Sequence, residues 1–331
     1  MKAAFYESTG GPDVIRYGDV PTPTPKSGEV LVRVGAAALN PIDTYIRAGA
    51  VAMPLPKPFI PGCDLAGTIT AVGPGVKVLK VGDRVWGSNQ GLLGRQGTFA
   101  EYACVMEEWL YPTPKSADDE TAAAVALVGI TAHLGLFRCA NAQAGDIVFV
   151  NGGSGGVGSM VVQMAKAAGA QIITTVGSAQ KANLCKSWGA DCVLNYRTDD
   201  VPAGVRAFTK DRGVNVWYET QREPDFQRTL PLMATRGRIV IMAGRASQPI
   251  FPIGQFYPRD MALYGFAMFN ATPQEQRRAA EDINRWLAEG KLHVAIGRRF
   301  KFSEAAEAHR LQEENTVQKS GSLTGKIVLT P

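Results

Sequence analysis

The periodicity of apolar positions changes near residue 115. Before it, short runs such as Glu29 to Val34, Leu65 to Val72, Asp83 to Trp86 and Thr98 to Val105 are rich in strand-forming residues and are cut by Gly and Pro, as in a small barrel or sandwich. From about Asp146 to Gly244, strand-like runs recur at Ile147, Ile172, Cys192, Val214 and Ile239, with helical stretches between them such as Phe226 to Met233. That alternation predicts a parallel sheet covered on both faces. A sixth run, Ala262 to Phe269, is placed to close this sheet. Beyond it, Pro273 to Lys291 reads as a helix burying Ile283, Trp286 and Leu287, and Lys326 to Leu329 as a last strand returning to the first domain.

The strand at Ile147 to Val150 opens into Asn151-Gly152-Gly153-Ser154-Gly155-Gly156-Val157-Gly158. Gly153, Gly155 and Gly158 fit G-x-G-x-x-G, a spacing that serves a tight turn, approach of backbone to a pyrophosphate and close helix-strand packing. The residues after the turn put Val157, Met160, Val161, Met164, Ala165 and Ala168 on one helical face, so strand, turn and helix N-terminus together form an anion site.

After the next strand-like run, Gln171 to Val176, an NAD site would place a carboxylate for the adenosine ribose. Here the chain reads Gly177-Ser178-Ala179-Gln180-Lys181, and no Asp or Glu follows the glycine turn until Asp191. Lys181 alone reads as an ordinary solvated lysine. With the acid missing and Ser178 able to donate a hydrogen bond, the pair points to a 2′-phosphate and hence to NADPH.

A length of 331 residues favours two domains, and 45% hydrophobic residues suffice for their cores. The net charge of +5 is small; its clusters, Arg277-Arg278 and Arg298-Arg299-Phe300-Lys301, are short and lack interleaved stacking aromatics, which argues against a nucleic-acid groove. Five cysteines form no C-x-x-C pair and read as reduced thiols. The N-terminus lacks the apolar core of a signal peptide, and the apolar stretch Ala122 to Phe137 is read as too short to span a bilayer; a soluble cytoplasmic protein is expected.

Metal chemistry finds little support. His133, His293 and His309 are the only histidines, and none has a Cys, Asp or Glu at ligand spacing; Cys63 reads as a small core residue. In the segment from Asn40 to Gly49, Asn40 and Tyr45 are candidates to hydrogen-bond a carbonyl substrate or the nicotinamide ribose. Asp43 and Arg47, one helical turn apart, are expected to pair with each other. Thr131 either faces the cofactor or bonds its own helix backbone at i−4, and its residue type leaves both open.

Nearly the whole chain resembles the zinc-free quinone oxidoreductases of the medium-chain dehydrogenase/reductase superfamily, the zeta-crystallin-like group. The resemblance is carried by Asn40-Pro41-Ile42-Asp43 with Arg47 and Gly49, Pro61-Gly62-x-Asp64-x-Ala66-Gly67 with Val72-Gly73, Gly82-Asp83-Arg84-Val85, Gly97 to Tyr102, and Gly145-Asp146 through Gly158 to Gln163. It implies an α/β chain with a doubly wound Rossmann domain over residues 123–269 and a β-rich, GroES-like catalytic domain over 1–122 and 270–331, with NADPH between them. A cysteine ligand of zinc-dependent relatives falls where Asn40 stands and a histidine where Cys63 stands.

By the same matching, Asn40 and Thr131 contact the nicotinamide end, Ser178, Lys181 and Tyr196 hold the 2′-phosphate, and main chain around Ala243-Gly244 and Phe266 to Met268 meets the nicotinamide. Two places depart from the family. Tyr218-Glu219-Thr220-Gln221-Arg222 replaces an acidic residue followed by Val-Gly, and Asn315 stands where some relatives grip the phosphate with a basic residue. The implied activity is hydride transfer from NADPH to a quinone or other conjugated carbonyl. The alternatives are an enoyl-thioester or alkenal double-bond reductase, or an NADPH-binding structural or RNA-binding protein of the crystallin kind. A homodimer through the Rossmann sheet edge is the family expectation.

Overall fold

The computed structural model describes residues 1–318, 320–321 and 323–331. Contacts divide the chain into two compact units: Met1–Leu127 with Pro273–Ala288 and Val294–Pro331, and Val128–Thr272 with Glu289–His293.

The first unit opens with a two-stranded ribbon, β1 (Lys2–Phe5) and β2 (Arg16–Asp19). Its main sheet begins with β3 (Glu29–Leu39), followed by helix α1 (Pro41–Arg47), β4 (Asp64–Val72), β5 (Arg84–Gly87), β6 (Tyr102–Met106) and β7 (Leu110–Pro112). Strand β3 alternates at first, burying Val30, Val32 and Val34 while Arg33 stays exposed, and is then buried continuously from Ala36 to Leu39. The alternation fits a strand with one wet face; the continuous stretch fits one covered on both. One edge of β3 pairs with β4, the other with β6 over Glu29–Arg33.

Helix α2 (Asp119–His133) contains the boundary between the units and continues into a π-helical turn, Leu134–Cys139. The expectation that this apolar stretch is too short to cross a membrane needs correction, because the combined helix runs 21 residues. It is nevertheless a core element, with 78% of its most apolar window buried inside the protein.

In the second unit, six parallel strands alternate with helices: β8 (Ile147–Asn151), α3 (Gly156–Ala167), β9 (Gln171–Val176), α4 (Ala179–Ser187), β10 (Cys192–Asn195), α5 (Val201–Thr209), β11 (Val214–Glu219), β12 (Met233–Ile241) and β13 (Ala262–Gly265). The sheet order is β10-β9-β8-β11-β12-β13. The chain winds outward from β8 to β10, jumps to β11 and winds outward the other way. Phe226 to Met233, expected to be one helix, is helical only over Phe226–Thr229; Leu230–Leu232 forms a 3-10 turn at Pro231 and Met233 starts β12. A proline has no N–H for a continuing helix.

The chain then returns to the first unit through α6 (Pro273–Ala288), β14 (Ile296–Lys301), α7 (Ala305–Thr316) and β15 (Lys326–Thr330). Helix α6 buries Ile283, Trp286 and Leu287. Strand β15 lies between β14 and β3, pairing Ile327 with Leu39 and Leu329 with Ala37. Glu289–His293 groups with the second unit, where Gln163 and His293 exchange two hydrogen bonds of 3.0 and 2.8 Å.

Candidate active site

In the second unit the sequence-derived cofactor residues follow the carboxyl ends of adjacent parallel strands. Gly153 to Gly158 follow β8, Gly177 and Ser178 follow β9, Tyr196 follows β10, Ala243-Gly244 follow β12 and Phe266 follows β13. That edge is where open α/β sheets bind ligands. The glycines of the first turn have steric reasons for being there. A Cβ on Gly153 would lie 2.1 Å from Thr174 Oγ1, and one on Gly158 would lie 2.2 Å from Gly152 O. A Cβ on Gly155 would meet only Gly152 O, at 3.4 Å, so this backbone can be approached from outside. Gly155 caps α3, whose first-turn N–H groups, on Gly156, Val157 and Gly158 after Ser154, have no intrahelical acceptor. The turn suits a diphosphate.

At the end of β9, Ser178 caps α4 and its hydroxyl accepts from Lys181 N at 3.3 Å. Tyr196 arches over the same turn: its hydroxyl is 2.4 Å from where a Cβ on Gly177 would sit, and its ring is about half exposed. Arg197, which sequence reasoning missed, places its guanidinium carbon 5.9 Å from the centre of the Tyr196 ring. The next acid, Asp191, is committed elsewhere. It accepts from Lys166 Nζ at 2.6 Å and from Ile172 N at 2.8 Å, near the start of β9 rather than its end. Gly177, Ser178 and Lys181 therefore form a strand end without a carboxylate, with Tyr196 of the next loop reaching Gly177, as an NADPH site requires.

Between β8 and β11 lies a polar network that sequence reasoning also missed. Glu219 is buried and accepts from Asn151 Nδ2 on both carboxylate oxygens at 2.9 Å, from Trp217 Nε1 at 3.1 Å and from Gln221 N at 2.7 Å. Burial raises its pKa, against which these bonds work. Asn151 Oδ1 accepts in turn from Thr175, whose hydroxyl accepts from Gly152 N at 2.9 Å. The chain carbonyl of Arg222 approaches Gly244, a residue at φ +97°, to within 2.6 Å of its absent Cβ. Phe266 N bonds Ile241 O at 3.2 Å, and Met268 is buried in the turn beyond.

Thr131 does not make the i−4 bond its residue type allowed: its buried Oγ1 has no partner among the described residues. Its carbonyl is the acceptor instead, taking a 2.9 Å hydrogen bond from Tyr218. The Tyr218 hydroxyl lies 2.3 Å from where a Cβ on Gly135 would stand, in the π-helical turn.

In the first unit, Asn40 follows β3 and caps α1. It has no exposed surface. Its Nδ2 donates to Asp64 at 2.7 Å and to Ala38 O at 3.3 Å, and its Oδ1 accepts from the ammonium of Lys326, which also donates to Leu39 O at 2.7 Å. With its amide so engaged, Asn40 anchors a buried network, whereas Tyr45, on α1, is only half-buried. Asp43 accepts from Asn40 N at 2.8 Å, and burial pushes its carboxyl up to about 7 against a bond from the Cys63 thiol. Burial also raises the Cys63 thiol and the Asp64 carboxyl and lowers the Lys326 ammonium.

The expected Asp43–Arg47 pair is not formed. Arg47 pairs with Glu313 of α7, because Asp43 is already turned back onto the α1 N-terminus. Among the described residues, no group of three or more His, Cys, Asp or Glu side chains is arranged to hold a metal ion.

Two family models match the chain: the alcohol dehydrogenase GroES-like domain over residues 26–115, and zinc-binding dehydrogenase over residues 156–285. A rat quinone oxidoreductase is 32% identical over 330 residues, covering 99% of this chain and 97% of the relative. The structure of Escherichia coli quinone oxidoreductase complexed with NADPH aligns at a TM-score of 0.86 and 27% identity, covering both chains completely. A structure described as an NAD-dependent alcohol dehydrogenase aligns at 0.88 and 32% identity, also over both full chains.

Proposed function

The chain belongs to the quinone oxidoreductases of the medium-chain dehydrogenase/reductase superfamily, and from that premise we propose that it reduces quinones or related conjugated carbonyls with NADPH and without zinc. The observation that carries the cofactor choice is the Gly177–Lys181 turn, where no carboxylate stands and Asp191 is drawn away by Lys166 and Ile172 N. Ser178, Lys181, Tyr196 and Arg197 would hold the 2′-phosphate, the Gly153–Gly158 backbone the diphosphate, and main chain around Ala243-Gly244 and Phe266 to Met268 the nicotinamide. The first unit is the catalytic domain and the second the cofactor domain.

The bound cofactor supplies a hydride, and one proton from water completes the reaction: quinone, NADPH and H⁺ give hydroquinone and NADP⁺. Charge developing on a conjugated acceptor is delocalised, so a hydrogen-bond donor can replace a Lewis acid. Tyr45 offers its hydroxyl for that purpose. Asn40 acts through α1, holding the helix that carries Tyr45. Support for zinc-free chemistry comes from the donor sets themselves, since Asn40 and Cys63 are spent on Asp64, Lys326 and Asp43.

The protein is assigned to the cytoplasm and to a homodimer through β13, the end strand of its sheet. Leu263 and Tyr264 there are exposed, as befits an edge that another strand covers.

The test measures NADPH oxidation with quinones, enals, enoyl thioesters and alcohols. Quinones should turn over fastest. Faster oxidation of an alcohol with NADP⁺ than reduction of any quinone would refute the reading, and faster reduction of an enoyl thioester would move the chain to the double-bond reductases.

A further inference from the structure

The winding of the second sheet reverses between β8 and β11. Helices leave such neighbouring strands toward opposite faces, so a crevice opens beyond their carboxyl ends. Its walls here are Asn151 and Gly152 on one side and Glu219, Thr220 and Gln221 on the other, with Asn151 directly opposite Glu219 in the register.

Glu219 fixes the course of the next two residues. By accepting from Gln221 N at 2.7 Å it turns the chain back over β8, and Thr220 Oγ1 secures the turn by donating to Asn151 O. The Gln221 side chain consequently lies over the glycine turn, its Nε2 2.5 Å from where a Cβ on Gly152 would stand. Gly152, at φ +89°, is free to bring its backbone that close. The amide itself is exposed, and its bond to Thr220 Oγ1 is long at 3.4 Å, which leaves donor capacity for a ligand in the crevice.

We propose that Gln221 is a cofactor-binding residue of this chain, donating from its carboxamide to the ribose–phosphate segment on the nicotinamide side of the dinucleotide. The proposal rests on the NADPH reading above and narrows it to one contact. Gln221 lies in the segment Tyr218–Arg222, where this chain departs from the family pattern, so the contact belongs to this chain's own departure. A carboxamide carries no charge and does not distinguish NADPH from NADH, unlike the groups around Ser178.

Cofactor affinity, read by fluorescence titration of the whole protein, tests this without turnover. Gln221→Val should raise the Kd for NADPH and for NADH by the same factor, about fivefold, the worth of one hydrogen bond. Adenosine 2′,5′-bisphosphate, which lacks the nicotinamide half, should bind the variant as it binds the wild type, and that result also certifies a folded site. Gln221→Glu keeps the shape but brings a carboxylate toward a phosphate; its loss should exceed that of Gln221→Val and shrink with added salt. An unchanged NADPH Kd in Gln221→Val, or an equal loss for the bisphosphate, overturns the assignment. Failure of the wild type to bind NADPH at all would overturn the functional reading instead.

Discussion

Asn151 and Glu219 face each other across the place where the second unit's sheet reverses its winding, and one amide nitrogen serves both carboxylate oxygens at 2.9 Å. Because Asn151 also orients Thr175, and Thr175 receives Gly152 N, a side chain on β11 sets the start of the glycine turn. Glu219→Gln places an amide opposite an amide. It should cost about 1–3 kcal/mol of stability and weaken NADPH and NADH binding together. Denaturant unfolding and cofactor titration of the same sample check both; unchanged affinity would mean that the turn holds its shape unaided.

The proposed 2′-phosphate site predicts a different pattern. Lys181→Ala should weaken NADPH about tenfold while leaving NADH within about twofold, as expected for loss of one charge-assisted contact. Arg197→Ala should act in the same sense but less, with an effect that fades as salt rises. Equal losses for the two cofactors in either variant would remove that residue from phosphate recognition.

Tyr45 and Asn40 separate contact from support. Tyr45→Phe should lower kcat with a quinone by about tenfold or more, without moving the NADPH Kd. Asn40→Ala removes the shared partner of Lys326 and Asp64 and should destabilise the protein by about 1–3 kcal/mol. If Asn40→Ala kept full stability and lost only turnover, Asn40 would be the contact and Tyr45 the support.

Arg47 is almost fully buried and pairs with Glu313 of α7; its Nε and Nη1 have no partner among the described residues. Glu313→Ala strands a guanidinium in the interior. A loss of about 3–5 kcal/mol is expected in urea unfolding, and a loss below about 1 kcal/mol would show that the guanidinium reaches solvent.

Two buried groups impose opposite pH dependences. His309, pushed down to about 3 by burial with the Arg47 charge adding to the effect, stays neutral in the fold while the unfolded chain takes up a proton below about 6.5. Its contribution to stability therefore rises with pH across that window, by about 1.4 kcal/mol per unit. Asp43, raised to about 7, keeps a proton in the fold that the unfolded chain releases near 4, so its contribution falls as pH rises from about 4 to 7. The stability difference between wild type and His309→Leu should climb steadily from pH 4 to 6, whereas that between wild type and Asp43→Asn should fall. A pH-independent difference for either residue would show that it does not titrate on unfolding.

Local signals were the legible ones. The run of strand-forming residues at Glu29 to Val34 and the strand–glycine–helix order around Gly153 each lie within a few residues, and each foretold its element. Phe226 to Met233 misled because its apolar spacing is helical, while Pro231 ends the helix and Met233 is claimed by the sheet. What could not be read were the partners. Glu219 meets Asn151 from 68 residues away, Arg47 meets Glu313 from 266 and Asn40 meets Lys326 from 286. A pattern one helical turn long therefore suggested Asp43 for Arg47, and only the packing of α1 against α7 supplied the actual acid.

The position of β15 bears on how the protein is made. Strand β3 is synthesised long before β15, with Asn40 directly behind it and Asp43 and Asp64 soon after, yet it is β15 that completes its edge and carries their lysine. The strands of the second unit, by contrast, are contiguous from β8 to β13 and can assemble while the chain is still growing. A nascent chain halted before residue 326 would thus hold a complete second-unit sheet, while the first unit lacked β15 and its buried carboxylates lacked their cation. Such a product is a natural target for chaperones, and it would bind NADPH long before it could reduce anything.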